Sequence, residues 1–134
     1  MNIGLALILP LHMLAAIVWL GLAVVISMNA GQGGEKAFRF QMIAAVVAFL
    51  SGGYLWHLDY GSQFGAAQKV LAFGVVCAIA ASGVQGMMVG RTRRKLKAGT
   101  IAEEAARPKI ARANQIAAGL LIITLVCMFM ARQL

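Results

Sequence analysis

Four apolar stretches, at about 3–28, 40–58, 68–90 and 113–131, occupy most of this 134-residue chain. A helix that crosses a bilayer needs ~20 mostly apolar residues, and each stretch comes to that length. Lipid offers no partner to a free backbone N–H or C=O, so such segments must satisfy their own hydrogen bonds as helices. The expected fold is therefore an all-α integral membrane protein, a four-transmembrane-helix bundle forming one domain over 1–134. A composition that is 61% hydrophobic, with mean hydropathy +0.83, excludes a soluble domain of this size. The first stretch has no positive charge before its apolar core, and that core is longer than a signal peptide's, so it reads as a retained helix.

Charge sets the expected orientation. Lys36 and Arg39 lie in the first connection. Arg91, Arg93, Arg94, Lys95, Lys97, Arg107, Lys109 and Arg112 lie in or beside the third. In a four-span chain both connections fall on one side, which the positive-inside rule assigns to the cytoplasm. Both termini and the 58–67 connection then face the periplasm of a bacterial inner membrane. The net charge of +8 is accounted for by this topology and by attraction to the lipid bilayer's anionic headgroups. The basic connection has no interleaved aromatics, so no nucleic acid partner is expected.

Within this apolar frame, His12 is the residue most in need of an explanation. An ionisable imidazole inside a spanning helix is costly and by default marks a functional site. It lies sixteen residues from Met28, ~24 Å along a helix. The other histidine, His57, lies ~27 Å from Arg39 by the same count, and Lys69 ~31 Å from Gly90. All three fall towards the outer side. Ala16 and Trp19 share a helix face with His12, leaving room beside the imidazole above an aromatic floor. A flat cofactor such as haem b would suit that slot, with His12 as one axial ligand and His57 or Lys69 as the other. Copper is the alternative, since imidazole, thiolate and thioether suit Cu(I), and Cys127 and Met128 lie at similar depth. His57, near Tyr60 at a helix end, also reads as a solvated interfacial residue, and Lys69 as a snorkelling one.

Small residues predict close helix contacts. Gly74, Ala78, Ser82 and Gly86 form an i, i+4 stripe on the third helix. Tyr54, Trp56 and Tyr60 read as an outer aromatic belt. Cys77 and Cys127 fall inside helices and match no CxxC pattern, so they read as apolar fillers. Hydrolase, nucleotide-dependent and proton-pumping readings have no motif behind them.

The run Leu11-His12-Met-Leu-Ala-Ala-Ile-Val-Trp19-Leu-Gly21 resembles the first-helix signature of the copper-resistance protein D (CopD-like) membrane family. Ser51-Gly-Gly-Tyr54-Leu resembles its second-helix end, and Arg94-Lys-Leu-Lys-Ala-Gly99 with Asn114-Gln-Ile-Ala-Ala-Gly-Leu-Leu121 its third connection and last helix. The His-to-Trp spacing is also similar to that of the small four-helix protoporphyrinogen IX oxidase family, which is associated with haem b. That resemblance implies functional roles for His12 and Lys69. Two departures are visible: Ala66-Ala67-Gln68 precedes Lys69 where that family has Trp and His, and Asn114-Gln115 replaces its Asn-Glu-x-Pro pattern. The resemblances imply a haem b protein with a redox role, in electron transfer or in oxidising a small membrane-accessible substrate such as a porphyrinogen. The alternatives are a copper-handling protein and a non-catalytic accessory subunit. A redox partner, a larger membrane complex or a homo-oligomer would be the corresponding partners.

Overall fold

The computed structural model describes residues 3–60 and 64–134. Four helices are long and apolar enough to cross a membrane: α1 (Ile3–Met28), α2 (Gly34–Asp59), α3 (Ala66–Ala98) and α4 (Glu103–Gln133). There is no strand among the described residues. The chain is thus a helical, multi-pass membrane protein. Of the connection expected at 58–67, residues 61–63 lie outside the described residues.

The helices outrun the apolar stretches. α2 starts at Gly34 rather than 40, α3 continues to Ala98 rather than 90, and α4 starts at Glu103 rather than 113. The last helix, expected to be short, therefore spans 31 residues. Hydropathy marks the part of a helix that suits lipid, whereas Arg, Lys, Glu and Ala carry helical backbone on into water. Pro108 is accommodated near the start of α4, where it removes a single helical donor.

Two tight ends replace the expected loops. Ala30 takes a left-handed conformation (φ 53°), and the Gly31 N–H donates to the Ile26 carbonyl at 2.9 Å. Gly99 does the same after α3 (φ 73°), with Thr100 N–H donating to Lys95 O at 3.0 Å. Both are Schellman-type ends that satisfy otherwise orphaned carbonyls. Gly31 is required twice over: its φ is 84°, and a Cβ there would overlap the Arg107 carbonyl.

α1 packs on α2 and α4, and α3 packs along α4. α2 meets α3 mainly at one place, the 85–89 turn of α3, which is π-helical. The central core is built largely of alanine: Ala15, Ala44, Ala45, Ala48, Ala78, Ala81 and Ala117 surround Trp19 and Leu121. In lipid, helices associate by packing rather than by escape from water, and small side chains permit that approach. Gly74 shows how close it is, since a Cβ there would come 2.9 Å from the Cβ of Cys127. The predicted stripe on α3 is used only in part. Gly74 and Ala78 are buried, but Gly86 has nothing within 4 Å of where a Cβ would stand. The π turn carries the buried line through Ala81, Gln85 and Val89 instead.

Candidate functional site

His12 continues the buried stripe of α1 formed by Ala15, Trp19, Ala23 and Ile26, one turn nearer the chain's N-terminus. Its ring faces α2. Nδ1 lies 3.0 Å from the Ala48 carbonyl and 3.1 Å from Ser51 Oγ. A carbonyl can only accept, so Nδ1 carries the hydrogen. The Ser51 hydroxyl donates its own hydrogen to Val47 O at 2.6 Å, which leaves its lone pairs for His12. In the neutral ring Nε2 then keeps its lone pair. Gly52 makes the seat for the ring: a Cβ at that position would stand 2.9 Å from Cε1. The imidazole is half-buried, which fits the parting of α2 and α3 away from the π turn.

A second polar site lies deeper, nearer the basic end, and was not anticipated from the sequence. Trp19 Nε1 donates to Gln85 Oε1 at 2.6 Å. Gln85 Nε2 and Gln41 Nε2 both donate to Asn114 Oδ1, at 3.2 and 2.9 Å. Asn114 Nδ2 in turn donates to Ile110 O at 2.9 Å. One residue from each helix thus joins a single buried layer, and Gln41, Gln85 and Asn114 are fully enclosed. The two ends of the layer fix every amide: the indole can only donate, and the Ile110 carbonyl can only accept. Gln41 must therefore turn its NH2 to Asn114, and its Oε1 has no partner among the described residues. The available sequence signal was an amide inside an apolar run, visible for Gln85. Gln41 and Asn114 sit near run ends, where an amide looks interfacial.

The other predicted site residues are placed as follows. Trp19 is 2% exposed, held by Gln85 and packed edge-on against Phe49 at 5.6 Å between ring centroids. His57 is exposed in the last turn of α2, and Lys69 is exposed in the first turn of α3. Trp56 packs edge-on against Tyr60 at 5.8 Å, close to His57 in the chain. Cys77 and Cys127 are buried free thiols, with Cys127 against Gly74 in the α3–α4 seam. Among the described residues no three of His, Cys, Asp or Glu form a metal-holding group.

Comparison of the chain with protein-family models, with characterised proteins and with solved structures gives no match.

Proposed function

We propose that this chain is a small haem b-binding protein of the bacterial inner membrane with a redox role. That role is electron transfer, or oxidation of a small membrane-accessible substrate such as a porphyrinogen. The observation that carries the reading is the state of His12: Nδ1–H is anchored on Ala48 O and Ser51 Oγ, and Nε2 is left as an acceptor. Histidines that ligate metals are characteristically held in this way, because the bond to the far nitrogen fixes the tautomer and raises ligand basicity.

The residues present fit one axial position. His12 would hold the iron through Nε2, Ala48 and Ser51 would orient the ring, and Gly52 would give it room. Haem, when bound, supplies one-electron chemistry at its iron. His57 and Lys69, both exposed towards the same end as His12, are the candidates for the second position. The basic residues at the opposite end support a cytoplasmic assignment for that end, with His12 towards the periplasm and both termini periplasmic. The CopD-like and protoporphyrinogen oxidase-like resemblances support the scaffold and His12, and Lys69 in the second case. Copper handling is the weaker reading: Cys127, the thiol it would use, sits against Gly74 in the α3–α4 seam.

The test is the reduced-minus-oxidised visible spectrum of protein purified in mild detergent, with a pyridine haemochrome assay. About one haem b per chain is expected, lost in His12→Ala and retained in Trp19→Phe. A featureless spectrum from cells with ample haem, or full haem in His12→Ala, would overturn the proposal.

A further inference from the structure

At the basic end, α4 and the end of α1 flank a shallow, open cleft of about 760 Å3. Its polar lining is Ser27, Glu104, Arg107, Arg112 and Gln115. The close approach of Gly31 to the Arg107 backbone presses the α1–α2 turn onto α4 and fixes the cleft between them.

The order of charge along α4 is informative. Glu104 lies farthest from the apolar run, Arg107 a turn further in, and Arg112 and Gln115 at its edge. Glu104 and Arg112 are separated by ~12 Å of helix. Among the described residues Arg107 has one ion pair, to Glu103 at 3.8 Å, with both side chains well exposed, so it is held loosely. Ser27 donates its hydroxyl hydrogen to Val24 O. About one turn further into the apolar runs, α1 and α4 carry exposed apolar side chains: Val25 is 52% exposed and Ile116 41% exposed. The site therefore offers two guanidiniums near the membrane surface, a carboxylate beyond them and apolar helix faces below.

We propose that this cleft binds a glycerophospholipid with an ethanolamine headgroup. Its phosphate lies on Arg107 and Arg112, its ammonium on Glu104, and its acyl chains run along Val25 and Ile116. Arginine suits a phosphate through its forked donors. Basic pockets between spanning helices at the headgroup level hold the phosphates of anionic lipids. The carboxylate makes the choice among lipids: an ethanolamine ammonium donates hydrogen bonds to it, a choline cannot, and a glycerol headgroup has no cation.

Native mass spectrometry of the whole protein, released from detergent with phosphatidylethanolamine, phosphatidylcholine or phosphatidylglycerol, tests this. One phosphatidylethanolamine per chain is expected, with about ten-fold preference over phosphatidylcholine. Glu104→Gln is expected to erase that preference while keeping phosphatidylglycerol binding, and Arg107→Gln/Arg112→Gln to weaken all three lipids. Both variants change exposed side chains, and unaltered circular dichroism would show that they fold. Equal or stronger binding of phosphatidylglycerol to the unaltered protein would overturn the proposal. So would an unchanged preference in Glu104→Gln, or displacement of the lipid by millimolar inorganic phosphate, which would mark a soluble-anion site.

Discussion

The layer around His12 and the layer around Asn114 are both polar islands in an apolar bundle, yet they are built on opposite plans. The Asn114 layer draws one side chain from each of four helices, and all but one of its polar atoms is spoken for. The His12 layer joins only α1 and α2, and it anchors one ring nitrogen while sparing the other. A layer that consumes its hydrogen bonds internally fixes helix register and faces. A layer that keeps a basic nitrogen in reserve, on a half-buried ring, is equipped to hold something else. The pairing of a closed layer with an open one separates the part of the bundle that holds it together from the part that has chemistry to offer.

Substitutions can break this contrast. His12→Ala should have the largest effect: complete loss of haem in the visible spectrum, with the stability of the haem-free protein lowered by only about 1.5 kcal/mol, because the Nδ1–H bonding to Ala48 O and Ser51 Oγ is removed. A large fall in stability with haem retained would reverse the roles of the two layers. Asn114→Leu comes next. It strands the NH2 groups of Gln41 and Gln85 in a buried setting, and a loss of about 2 kcal/mol is expected in chemical or thermal unfolding in detergent. Haem per folded chain should stay constant. Gly52→Ala should push the imidazole off its seat and lower haem retention several-fold during gel filtration, with helix content unchanged. The smallest effect is expected from Gln41→Leu, which removes one hydrogen bond but also the unpartnered Oε1. Its stability should stay within about 1 kcal/mol of the starting protein, and above that of Gln85→Leu, which would strand the Trp19 indole N–H.

The sequence made four spanning segments legible, because ~20-residue apolar runs have few other uses. It also singled out His12, whose ionisable ring is out of place in such a run. It could not reveal that Ala48 and Ser51 accept hydrogen bonds from the His12 Nδ1–H, since those partners are 36 and 39 residues away and unremarkable by themselves. The Asn114 layer was illegible for the same reason: Gln41 and Asn114 are 73 residues apart and become one site only once α2 and α4 are packed. The helix ends were misplaced because Lys36, Arg39 and Arg91–Lys97 belong to helical backbone that has left the apolar run. Gly86, apparently in line with Gly74, stands twelve residues on and so about 120° round a regular helix, while Gln85 continues the buried line.

That π turn holds one residue more than an α-helical path of the same span. Deleting one position within 85–89 would therefore restore regular winding over that span and leave the helix beyond it facing as before. The guanidinium of Arg93, 5.2 Å from the centre of the Phe38 ring, would stay against α2, and Thr92 would keep its buried position. The turn thus absorbs one residue locally, and a one-codon deletion there would be tolerated by the basic segment, whereas the same deletion elsewhere in α3 would turn that segment by about 100°.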